Sequence, residues 1–110
     1  MFNFYFETCI LYILDPPGAL IATSFNITPS IISGGKFAIL SCLADSIPAP
    51  TYEIRKDGVL LATGTEAIGV AFIYNISNAQ FFDEGDYICN ASNSLGDDSV
   101  TEFLDVTGKL

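Results

Sequence analysis

Residues 83–96 of this 110-residue chain, D-E-G-D-Y-I-C-N-A-S-N-S-L-G, restrict its fold more than any other stretch. Tyr87 and Cys89 stand two apart, so in an extended strand they face the same side. A buried tyrosine needs a partner for its hydroxyl, and a tight turn at 83–85 can offer a backbone acceptor. Gly85 gives that turn its conformational freedom. The Asp83 carboxylate can hold it by accepting from nearby backbone N–H groups. The stretch also carries one of three cysteines, Cys9, Cys42 and Cys89. Three cannot all pair within one chain, so one is left over. Cys42 and Cys89 lie 47 residues apart, each in mid-strand on the side shared with apolar neighbours. Such a pair fits a bridge between two facing sheets. Closing so long a loop stabilises by about 4 kcal/mol on the chain-entropy account.

The rest of the chain supplies strands for those sheets. From Leu20 onward every segment is short and turn-bounded, and no apolar period of 3.6 lasts long enough for a helix. Pro29 breaks a first strand that runs over 21–27 and 30–32, which suits a sheet edge. A strand over 36–44 turns Ala38, Leu40 and Cys42 one way and Phe37, Ile39 and Ser41 the other. Ile47-Pro48-Ala49-Pro50 is a loop. The strand over 51–56 places Tyr52 and Ile54 together, and Asp57-Gly58 is a strong two-residue hairpin signal. Residues 59–62 return, and 70–76 align Phe72, Tyr74 and Ile76. Two further strands, 86–93 and 99–106, join across Ser94-Leu95-Gly96. About seven short strands at regular spacing predict an all-β, two-sheet antiparallel sandwich.

Residues 1–14 are strongly apolar but too short to span a bilayer as a helix. They hold no Lys or Arg, and Glu7 interrupts them, so they make a poor signal peptide. Read-in sequence foreign to the domain and an extra β segment are the other readings. Asp15-Pro16-Pro17-Gly18 is a breaker cluster and reads as a linker. The expected division is therefore 1–18 outside the domain, 19–107 as the domain and 108–110 as a linker stub. Cys9 then falls outside the framework.

Thirteen acidic side chains against Lys36, Arg55, Lys56 and Lys109 give a formal net charge of −9. Such a surface repels phosphate backbones and anionic lipid, which argues against nucleic-acid and membrane-surface partners. There is no histidine, so the usual general base and the commonest neutral metal ligand are missing. No catalytic constellation, metal site or cofactor motif is expected. Asp83, Glu84, Asp86 and the pair Asp97-Asp98 read as a solvated acidic surface, since no calcium-loop spacing is present.

D-x-G-x-Y-x-C at Asp83, Gly85, Tyr87 and Cys89 resembles the strand-F signature of immunoglobulin-superfamily domains. Ala91, Asn93 and Gly96 continue it in the manner of the intermediate set. Gly35, Leu40, Cys42, Pro48, Pro50 and Lys56-Asp57-Gly58 are similar to the first half of the same set, so the resemblance covers about 30–106. It implies an immunoglobulin-like sandwich with a Cys42–Cys89 inter-sheet disulfide and a structural corner at Asp83, Gly85 and Tyr87. Two departures stand out. The family's core tryptophan should fall at Ile54, yet the chain has no Trp, so Tyr52 and phenylalanines must fill that space. No basic residue in 60–69 can pair with Asp83, which leaves that carboxylate to backbone partners.

Three sequons, Asn26-Ile27-Thr28, Asn75-Ile76-Ser77 and Asn90-Ala91-Ser92, are candidate glycosylation sites. Parity turns Asn75 and Asn90 outward on opposite sheets. A glycan on Asn90 would close the C–F–G face that related adhesion domains often use for face-to-face binding. Phe37, Ile39 and Ile73 point outward on the other sheet, as scattered surface apolar residues or as a patch. The resemblance implies an extracellular or cell-surface module of a larger adhesion or receptor protein, similar to tandem-Ig and hemicentin-like proteins. Its partners would be other proteins, including neighbouring Ig-like domains, and it would be no enzyme. An immune-receptor ligand-binding domain and an intracellular muscle-type elastic module are the alternative readings.

Overall fold

The computed structural model describes residues 22–108; the reading of 1–18 and the fate of Cys9 lie outside them. Eight strands follow in order: β1 (Ala22–Thr28), β2 (Ile31–Ser33), β3 (Ala38–Asp45), β4 (Thr51–Lys56), β5 (Val59–Thr65), β6 (Phe72–Ile76), β7 (Gly85–Asn93) and β8 (Gly96–Thr107). One three-residue 3-10 turn, Phe81–Asp83, precedes β7. Strands β1-β3-β6 form one sheet and β2-β8-β7-β4-β5 the other. The two sheets face each other as an immunoglobulin-like sandwich.

The period-two pattern of β3 becomes strict alternation: Ala38, Leu40, Cys42 and Ala44 are buried, while the residues between them are not. Tyr87, Cys89 and Ala91 do the same on β7. These two central strands supply the core, joined by Ile54 of β4, Leu104 and Val106 of β8, and Phe25 and Ile27 of β1. The hairpin between β4 and β5 has both central residues at positive φ, Asp57 at 51° and Gly58 at 80°, the conformation that matches strand twist and favours an Asp-Gly pair.

The expected first strand is in fact two, in different sheets. β1 pairs antiparallel with β3, whereas β2 crosses over and pairs parallel with β8 through Ile31↔Asp105 to Ser33↔Thr107. Pro29 lacks an N–H, so the ladder stops there and the chain can change sheets. β5 also runs three residues past the expected end at Ala62. Its Thr63 and Thr65 pair with Glu53 and Thr51.

Candidate functional site

The corner before β7 is built from side chains closing on backbone. The Tyr87 hydroxyl donates to the Asp83 carbonyl. Asp83 Oδ2 accepts from the Gln80 N–H at 2.7 Å, tying off the 3-10 turn. Glu84 Oε1 accepts from the Val106 N–H at 2.9 Å, anchoring the turn to β8. Gly85 sits at φ +148°, and a Cβ there would lie 3.2 Å from Lys56 Cε. Lys56 faces inward with Tyr52 and Ile54, and its ammonium lies 6.0 Å from the Tyr87 ring centroid and 2.8 Å from Asp57 Oδ2. Sequence reasoning overlooked that lid, although Lys56 shares its parity with Tyr52 and Ile54. Burial first, then the charges of Asp83, Tyr74 and Asp57, push the Tyr87 phenol well above its ordinary range.

Cys42 and Cys89 are joined across the two sheets, with Cα atoms 6.5 Å apart, and both are fully buried. Ile54 lies opposite Cys89 on the neighbouring strand. Two residues away on the same face of β4, Tyr52 stacks on Phe72, with ring centroids 5.4 Å apart and planes within 6°. The Tyr52 hydroxyl is satisfied across the sheets: it accepts from the Ala44 N–H at 3.0 Å and donates to the Ala44 carbonyl at 3.4 Å.

The three sequons fall on two faces and in unlike surroundings. Asn26 on β1 and Asn75 on β6 are exposed on edge strands of the three-stranded sheet. They flank β3, in the rows Asn26–Ser41–Ile73 and Thr28–Ile39–Asn75. Asn90 is on the outer face of the five-stranded sheet but in its middle strand, between Glu53 and Ser99. It is only partly exposed, and its Oδ1 is shut off from solvent without a hydrogen-bond partner. Parity gave its face; the crowding by two flanking strands is not visible in parity. Of the outward apolar residues, Ile39 and Ile73 are 37% and 47% exposed on the three-stranded face. Phe37, also exposed, falls in the turn before β3 rather than on the sheet.

The acidic residues do not converge. Asp83 and Glu84 turn their carboxylates to backbone, and among the described residues no group of three His, Cys, Asp or Glu is placed to hold a metal ion. At one pole, Ala22 pairs with Asp45, and the Asn93 side chain bonds the Pro48 carbonyl, so the chain comes in beside the 46–50 and 94–95 loops. At the other, the Gly34 N–H bonds the Thr107 carbonyl close to where the chain leaves.

A two-sheet sandwich with a buried inter-sheet bridge and a tyrosine-closed corner defines an immunoglobulin-type binding or structural module. A family profile for the immunoglobulin domain matches residues 22–93, and the chain belongs to that family. It is 39% identical over 70 residues to Roundabout homolog 1 of Mus musculus, covering 62% of this chain and 4% of that protein. It is 36% identical over 96 residues to Hemicentin-2 of Mus musculus, covering 86% of this chain and 2% of that protein. To the cell adhesion molecule Dscam1 of Drosophila melanogaster it is 30% identical over 90 residues, 74% of this chain and 4% of that protein. This chain therefore spans only a few per cent of the curated relatives it matches. Among solved structures, a chimeric titin Z1Z2 superposes with a TM-score of 0.68 at 24% identity, covering 84% of this chain and 97% of the other; that likeness concerns the fold.

Proposed function

We propose that residues 19–107 act as an extracellular recognition or spacing module within a larger adhesion or receptor protein, with 1–18 outside the domain and 108–110 as a linker stub. The observation that carries this reading is the fully buried Cys42–Cys89 bridge, since such bridges persist in oxidising compartments. Kinship with a protein named as a cell adhesion molecule supports it. So does the placement of Ala22 and Thr107 at opposite poles of the sandwich, which lets modules follow one another in line. The partners are other proteins and neighbouring immunoglobulin-like domains, met by surface complementarity. At a net charge of −9, nucleic acid and anionic membrane are disfavoured partners. No catalytic step is assigned to the module.

Peptide mapping of the native protein without reductant tests the reading. The expected result is a linked peptide pair holding Cys42 and Cys89. Recovery of both as free thiols would overturn it in favour of an intracellular elastic module.

A further inference from the structure

Resting on the extracellular reading, we infer that the sugar on this domain is confined to the three-stranded face, with Asn75 as its principal attachment point, and that Asn90 stays bare. The bond is made when Asn75 Nδ2 attacks C1 of the first sugar of a lipid-pyrophosphate-linked oligosaccharide. The N–C bond forms, the C–O bond to pyrophosphate breaks, Nδ2 gives up one proton, and the lipid pyrophosphate leaves.

Three observations separate the sites. Asn75 is exposed on an edge strand, so one side of it has no neighbouring strand. A recess of about 260 Å³ opens at this edge, with Asn75 among the residues that line it. Ile39, directly across from Asn75 in the register, and Ile73, two residues before it, are exposed apolar side chains that a sugar there would cover. Asn26 lies on the same face, so any second glycan adds to the same shield.

Asn90 differs in its flanks and in its amide, although Ile88, two residues before it, is exposed as Ile73 is. Both flanks are occupied, by Glu53 and Ser99. Its Oδ1 is covered and unpartnered. With that oxygen covered and a strand on either flank, the side chain stands in a crowded place for a sugar on its nitrogen. The residue also follows Cys89 directly, so closing the bridge locks its backbone into the middle of the sheet.

The test is to secrete the full chain behind a cleavable leader from mammalian cells. The glycans are then removed enzymatically in heavy-oxygen water, and the labelled aspartates that result are mapped. Label at Asn75, with or without Asn26, and none at Asn90 is the expected result. Asn75→Gln should then speed gel migration of the secreted protein, and Asn90→Gln should leave it unchanged. Label at Asn90 in a share comparable with Asn75, or no label at Asn75, overturns the inference. A native protein with free Cys42 and Cys89 thiols would instead sink the extracellular reading and leave the distribution on secreted material standing.

Discussion

Single residues decide how firmly the corner is closed. Tyr87→Phe keeps the ring and removes one hydrogen bond from a carbonyl in a tight turn, and should cost about 1–2 kcal/mol. The urea midpoint should fall with the slope unchanged. Gly85→Ala should cost about 1–3 kcal/mol, from strained backbone at φ +148° and crowding against Lys56. Tyr87 also ties stability to alkaline pH. Its folded pKa is raised, chiefly by burial and next by the Asp83 charge, so the fold favours the protonated phenol. The unfolded chain gives up that proton first, near about pH 10. The stabilisation is therefore whole below that pH and drains away as pH rises towards the folded value. Urea midpoints measured at about pH 8 and about pH 11 should diverge less in Tyr87→Phe than in the parent. The corner was legible in the sequence because its parts are local, four residues within seven positions. Lys56 over the Tyr87 ring and the covered amide of Asn90 were not, since both arise from strands distant in the chain.

At the level of elements, β4 packs across the sheets against β3 and β6 through Tyr52. Tyr52 reaches the Ala44 backbone and stacks on Phe72, and Phe72 in turn lies against Gly64, where a Cβ would come within 3.1 Å of its ring. Because that volume is already full, Ile54→Trp should overpack the core and lower stability by about 1–3 kcal/mol. Phe72→Ala should cost about 3–5 kcal/mol, since Tyr52 would lose its stacking partner as well. Thermal melts of both variants beside the parent would show it, the larger drop belonging to Phe72→Ala. Strands β3 and β7 were legible because strict alternation around a cysteine is hard to mistake. The switch of β2 to the other sheet was not. Pro29 marks a break in hydrogen bonding, and nothing in Ile31-Ile32-Ser33 tells which sheet receives it. The added length of β5 was equally hidden, for Ala62-Thr63-Gly64-Thr65 has no apolar alternation and pairs only because β4 lies beside it.

Across the whole molecule, the Cys42–Cys89 bridge ties the two sheets together. Closing a loop 47 residues long contributes about 4 kcal/mol on the chain-entropy account, against a total of about 5–15 kcal/mol for a domain of ordinary stability. Cys42→Ala/Cys89→Ala should therefore lower the unfolding free energy by that order, read from urea curves with the parent kept oxidised. The fold and the link could be foreseen from a few spaced residues because both rest on two strands, β3 and β7, one central to each sheet. Which sequons stand on edge strands could not, because parity gives a residue's face and not the strand order. The parallel pairing of β2 with β8 has a mechanical consequence. Tension between the two poles pulls Ile31–Ser33 towards one end and Asp105–Thr107 towards the other, so the rungs between them share the load in shear instead of opening one by one. Once that catch slips, the oxidised chain can lengthen only outside the bridge. Its full extension should fall short of the reduced chain's by about 160 Å, the contour of the 47 residues the bridge withholds.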